Sequence, residues 1–169
     1  MTRRTHAHIA AEQLQNTANL ILAEVQRLPA ELIYWVPGDN VWTVMDNLCH
    51  IREFVPFWTR ETVRIARHPD QQWGRDHTDT DRLAAVTNTS AVALEDVTAD
   101  IRRLVEQSAE TLAALSDADL EVEATSRNPR WGVKPASFVV DHLLVLHIDK
   151  HLGQIRRNVT QFGDHLNKG

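Results

Sequence analysis

His147 and His151 lie four residues apart. On a helix that spacing stacks two side chains one above the other, with Cβ atoms about 5–6 Å apart, so both imidazoles can address one metal ion. Nine histidines in the chain make such a pair a weak motif by itself. Two buried histidines, each hydrogen-bonded to a neighbour, would account for it as well. Placement adds weight, because both fall in the row Val140, Leu144, His147, His151, Ile155 and Asn158, spaced 4, 3, 4, 4 and 3 like the core face of a helix. A buried ring nitrogen without a partner costs about 1–3 kcal/mol, and protonating both rings would put like charges together in a poor dielectric. A divalent cation relieves both problems.

His50 is the third candidate ligand. It lies in the row Asp46, His50, Glu53 and Phe57, beside the apolar seam of an earlier helix. It either turns inward as a ligand or stays at the boundary facing solvent. Asp46 and Glu53, about one turn to either side, are candidates to accept a hydrogen bond from its ring and orient it. Three protein ligands leave a coordination position open, as in catalytic zinc sites. Zinc lowers the pKa of a bound water to about 7 and deprotonates a coordinating thiol, which leaves hydrolysis and thiol transfer both open. Such a ligand set suits zinc, nickel, iron or copper.

Other chemistry-bearing residues rank lower. Cys49 adjoins His50, but consecutive helical residues point about 100° apart, so a packed core thiol is expected. His142 sits five residues before His147 and off its row, while His6, His8, His68, His77 and His165 fall at termini or in loops, where surface positions are expected. Trp42 and Trp131 precede the ligand-bearing helices and either wall the pocket or anchor loops through buried area. Arg127, Arg130 and Lys134, near Trp131, either attract carboxylates of a small ligand or form a solvated basic loop.

Four amphipathic helices must position these groups. Leu14, Ala18, Ile21, Val25 and Leu28 make one face of a first helix over about 9–28, ended by Pro29 and the turn chemistry of Gly38-Asp39-Asn40. Thr43 caps a second helix, with Asp46 near its N-terminus, and Val44, Leu48, Ile51, Val55, Trp58, Thr62 and Ile65 line it to about Arg67. Pro56 predicts a kink within it. Residues 68–89 are polar, apart from a short helix-compatible stretch at 82–86, and a connection this long inside a domain suggests a pocket wall. Ser90 is the expected cap of a third helix with the row Leu94, Val97, Ile101, Leu104, Ser108, Thr111 and Leu115. Residues 121–134 carry β-favouring residues without helical period, and a fourth helix runs from about Pro135 to Gln161. The expectation is an all-α four-helix bundle with long connections, a single domain over 1–169.

Two segments carry a family resemblance. Trp42-Thr43-Val44-Met45-Asp46-Asn47-Leu48-Cys49-His50 resembles the DinB/YfiT-like pattern of tryptophan, a small capping residue and a helix reaching histidine eight positions later. His147-Ile148-Asp149-Lys150-His151-Leu152-Gly153-Gln154-Ile155 resembles that superfamily's late His-x-x-x-His followed by Gln-Ile. The resemblance implies a DinB-like four-helix bundle whose His50, His147 and His151 hold zinc or nickel, often in a homodimer. It implies a metal-dependent enzyme, foremost a thiol-dependent S-transferase or isomerase using a low-molecular-weight thiol on a small electrophile. A metal-dependent hydrolase and a non-catalytic metal or small-molecule binding protein are the alternatives. A metal-free bundle sharing the fold alone is a further one.

Composition narrows the setting. At 169 residues, 43% hydrophobic and 24% charged, the chain suits one ordinary globular domain. One cysteine rules out an internal disulfide and fits a reducing compartment, so the cytoplasm is the expected location. The Arg3-Arg4 pair is not followed by the apolar core of an export signal, and no apolar run reaches the roughly 20 residues that span a bilayer. A net charge of −5 with scattered Lys and Arg argues against nucleic acid as partner, leaving a small-molecule substrate.

Overall fold

The computed structural model describes residues 4–168. Residues 1–3 and 169, which the single-domain expectation and the reading of the Arg3-Arg4 pair include, lie outside them. Chain order is α1 (His6–Val25), α2 (Ala30–Tyr34), α3 (Val44–Arg67), α4 (Thr80–Ala85), a 3₁₀ turn at Thr89–Ala91, α5 (Leu94–Ala113), α6 (Asp117–Glu121), β1 (Glu123–Thr125), β2 (Val133–Pro135), α7 (Ala136–Phe138), a π-helical segment Val139–Val145, and α8 (Leu146–Leu166). The long helices α1, α3, α5 and α8 form the four-helix bundle. Their principal contacts run α1 to α5, α5 to α3, α3 to α8 with its π segment, and back to α1. The consecutive long helices α1 and α3 therefore occupy diagonal corners. None of the described helices is long and apolar enough to cross a membrane.

Each core row follows from the sequence, with local corrections. In α1, Leu14, Ala18, Ile21 and Val25 are fully buried, but the helix starts at His6 because the Thr5 side chain caps it by accepting from the His8 amide. In α3 the Thr43 hydroxyl accepts from the Asp46 amide while the Asp46 carboxylate accepts from the Thr43 amide, a reciprocal capping box. The helix runs past Pro56 to Arg67 with its whole expected row buried. The α5 row is rotated from the expected one. Val105 and Leu112 are buried while Thr111 is exposed, its hydroxyl bonded back to the Gln107 carbonyl. Ser90 is not the cap of α5, because it lies in the 3₁₀ turn and Ala93 holds the cap position without a side-chain bond. The last helix continues to Leu166 rather than Gln161, since Phe162 is buried against Trp35 at 5.4 Å.

The two long connections fold onto each other. Residues 123–125 and 133–135 pair as an antiparallel hairpin, which the irregular arm expected from sequence leaves out. Fully buried Trp73 locks the 68–79 stretch onto it, with Nε1 donating to the Ala124 carbonyl and its backbone bonded to Thr125 and Arg127. Gly74 follows at φ +81°, where a side chain is disfavoured, and its amide donates to the buried Glu61 carboxylate at 2.6 Å. Arg75 then turns inward over the Phe57 ring and meets Glu53 of α3 through two 2.6 Å bonds. A tryptophan and an ion pair thus hold the polar connection against the bundle as the expected wall.

Candidate metal centre

The α3 row carries His50 inward and the α8 row carries His147 and His151 to meet it. Ring centroids are 5.2 Å apart for His50–His147, 4.9 Å for His50–His151 and 4.8 Å for His147–His151. One nitrogen from each ring lies within 4.8 Å of the others, and among the described residues this is the one such cluster of three potential ligands. His50 and His151 are buried and His147 partly so. Aromatic faces fix the rings: Phe54 stacks on His147 at 4.1 Å, and Trp42 stacks on His151 at 5.8 Å while meeting His50 edge-on at 5.1 Å.

Hydrogen bonds set two of the tautomers. His147 Nδ1 faces the Leu143 carbonyl at 3.3 Å, an acceptor only, so Nδ1 carries the proton. His151 Nδ1 faces Asn47 Oδ1 at 2.8 Å. The orientation of that amide follows from its other end, where Asn47 Nδ2 donates to the Thr43 carbonyl at 2.8 Å. Nδ1 of His151 therefore donates, and the Nε2 lone pairs of His147 and His151 are left for a ligand.

Polar satisfaction fails at this place. Of the buried side-chain nitrogens without a partner among the described residues, His50 Nδ1 and His151 Nε2 are two, the third being Arg75 Nε. Such atoms are rare in folded proteins because each forfeits its hydration without return. Burial also holds all three rings neutral. The His50 imidazolium is disfavoured first by desolvation and then by His151, His147, Arg82 and Arg75. Desolvation, outweighing the bond to Leu143, brings His147 down to about 4, and desolvation followed by His147 and Lys150 brings His151 to about 3. Three neutral imidazoles with free lone pairs, two of them otherwise unsatisfied, fit one divalent transition metal.

Two cavities border the histidines. One of about 400 Å³ is lined by Trp42, Asn47, His50, Arg82, His147, Lys150, His151, Gln154 and Arg157 among others. The other, about 450 Å³, is lined by His50, Trp58, Arg75, Asp76, His77, Arg82, Arg130, Trp131 and His147 among others. Trp42 and Trp131 are thus both pocket walls, one on each side. The expectation that Asp46 and Glu53 orient His50 is corrected. Asp46 is occupied by the α3 cap and by Thr89, whose hydroxyl donates to it at 2.5 Å, and Glu53 is occupied by Arg75. The carbonyl groups that support the cluster act on the other two rings, Asn47 on His151 and Leu143 on His147, and among the described residues no side chain or carbonyl bonds the His50 ring. Asn47 has a signal in the sequence, a polar residue one turn before His50 beside the apolar row. The Leu143 carbonyl has none.

The remaining candidates take no part in the histidine cluster itself, although Arg130 lines the second cavity. Cys49 is fully buried, and desolvation pushes its thiol up, so it packs the core as expected. His142 is exposed against Phe138, and His6 bonds the exposed Asp141. Arg127 is tied to the Gly74 carbonyl, Arg130 lies over Trp131, and Lys134 lies over Phe138.

Among known proteins, no curated sequence matches this chain. A solved structure, that of YfiT from Bacillus subtilis, superposes with a TM-score of 0.79 at 12% identity, covering 96% of this chain and 91% of that one. It is described as a probable metal-dependent hydrolase with an unusual four-helix bundle topology. At that identity the likeness establishes the shared fold. The family model described as DinB superfamily matches residues 13–155, a span that takes in α3 and all three histidines. The chain belongs to the DinB superfamily.

Proposed function

We propose that His50, His147 and His151 hold a divalent transition metal, zinc or nickel, and that the chain is a metal-dependent thiol S-transferase or isomerase acting on a small electrophile. The observation that carries the metal reading is the pair of buried, unpartnered nitrogens on His50 and His151 inside a neutral three-histidine cluster. A divalent metal held there supplies Lewis acidity that deprotonates a coordinating thiol and lowers the pKa of a coordinating water. The residues around it favour the thiol. At neutral pH a coordinating thiol would be ionised outright while a coordinating water with a pKa of about 7 would be only partly so, either proton leaving to solvent, and no Asp or Glu lines the 400 Å³ cavity as a base to complete the second. Trp42, stacked on His151, offers the flat apolar wall against which a small electrophile can lie.

A metal-dependent hydrolase is the second reading. It is favoured by the description of YfiT and by Asp76 and His77, a carboxylate and an imidazole lining the other cavity beside the histidines. One experiment separates these. Elemental mass spectrometry on tag-free protein should find about one metal ion per chain, absent from folded His50→Ala, His147→Ala and His151→Ala. The loaded protein is then assayed with several low-molecular-weight thiols against electrophiles, and with ester and amide substrates without thiol. Turnover that requires both thiol and His151 supports transfer, and thiol-independent turnover supports hydrolysis. Metal absent after loading with zinc or nickel overturns the reading.

Asn47 is expected to matter through His151. Removing the acceptor of a metal-ligating histidine typically lowers metal affinity by about 10–100-fold. Asn47→Leu should therefore bind zinc about that much more weakly in competition with a chelating dye, while Asn47→Asp, which keeps an acceptor, should stay close to the unmodified protein.

A further inference from the structure

The two cavities that meet at the histidines share one cation, Arg82. In the first, Lys150 and Arg157 line the wall with it and no carboxylate does. In the second, Arg75 and Arg130 accompany it against the single carboxylate of Asp76. This runs against a chain with 23 acidic residues to 18 Lys and Arg. Arg75 is neutralised by Glu53 and Asp79. Arg82 is not: one Nη1 bond goes to the His77 carbonyl at 3.2 Å, and among the described residues neither it, Lys150 nor Arg157 has an ion-pair partner.

Arg82 is also held in place. The Asp79 carboxylate caps α4 by accepting from the Arg82 amide at 2.9 Å and takes Arg75 at 3.1 Å, and Arg75 clamps Glu53 on α3, the helix that bears His50. Its charge already bears on His50 and His147. Cations along a concave wall focus their field into the cavity, and a guanidinium fork matches a carboxylate or phosphate through two parallel bonds.

We propose that Arg82, assisted by Lys150 and Arg157, anchors an anionic group, carboxylate or phosphate, of a small substrate whose other end reaches the three histidines. This names the substrate class of the proposed reaction centre and rests on that reading for the word substrate, while the anion site itself needs no metal.

The test is calorimetric titration of the full chain, zinc-loaded and metal-free, with succinate, methyl phosphate and the uncharged succinamide. Either anion should bind both forms, and the tighter of the two names the source. Arg82→Gln should weaken anion binding by about 10-fold or more, the usual cost of a lost charge-assisted hydrogen bond, with smaller losses for Lys150→Gln and Arg157→Gln. Succinamide should not bind measurably. Circular dichroism checks that Arg82→Gln is folded, and Arg82→Lys, which keeps the charge without the fork, should fall between. Equal anion binding by folded Arg82→Gln, equal binding of succinamide, or no anion binding at all overturns the proposal. Arg82-dependent binding to protein that takes up no metal would retain the anion site while sinking the metal reading. Metal uptake without Arg82-dependent binding would do the reverse.

Discussion

Zinc-loaded protein is expected to melt about 8–16 °C above its metal-free form when free zinc is held a thousandfold above Kd, from about 4 kcal/mol of linkage at about 2–4 °C per kcal/mol for a chain of this size. The reason lies in the unpartnered nitrogens. In metal-free protein His50 Nδ1 and His151 Nε2 are buried without a bond, so folding gives up their hydration and gains nothing for it. An ion bonded by the three rings returns that loss only to the folded chain, because His50 on α3 lies 97 and 101 residues before His147 and His151 on α8, and the unfolded chain does not bring the two helices together. His151→Ala should abolish the gap between loaded and metal-free scans. His50→Leu should abolish it too and leave the metal-free protein no less stable than the original, since an apolar side chain of similar size replaces an unsatisfied polar one. Scanning calorimetry at fixed protein concentration, with zinc, nickel or a chelator, measures both. Coincident loaded and metal-free scans would leave the three histidines as a packing arrangement without a resident ion.

The helices were legible because burial imposes a period that survives in the residue types. Val44, Leu48, Ile51 and Ile65 on α3 repeat with that period and are all fully buried. Thr43 and Asp46 announced the start of α3 because a capping box needs those two chemistries three residues apart. The three histidines were legible for the same reason, two of them standing in a core row where an imidazole is out of place. What could not be read is what depends on distant partners. Glu53 looks like a support for His50 until Arg75, 22 residues on, claims both its oxygens. Arg82 belongs to the site only because Trp73 and Arg75 fold the 68–79 stretch back onto the hairpin and α3, a pairing with no local signal. The diagonal placement of α1 and α3 is equally silent, since each helix shows the same apolar face whichever neighbour covers it. The hairpin was missed because three-residue strands are too short to show alternation.

Acid should unfold the metal-free protein well before its carboxylates titrate. A histidine in an unfolded chain takes up its proton near pH 6.5, whereas folded His147 waits until about 4, His151 until about 3, and His50 lower still. Between pH 6.5 and those values the unfolded chain holds protons that the folded chain refuses, so stability is intact above 6.5 and is lost as pH falls toward the folded values. Each such group costs about 1.4 kcal/mol per pH unit, so three together reach the order of 4 kcal/mol per unit against a total stability of about 5–15 kcal/mol. Urea denaturation in chelator should therefore show a steep loss between pH 6.5 and 5, a window in which unfolded Asp and Glu, with pKa values of about 3.9 and 4.3, are still largely ionised. The triple variant His50→Gln, His147→Gln, His151→Gln should be much flatter over that window. Loaded protein should lie above the metal-free curve and run parallel to it, because in both folded forms the rings carry no protons and the unfolded chain takes up the same three. A metal-free curve as flat as that of the triple variant would mean that the rings are hydrated in solution, and the case for a buried centre would fall with it.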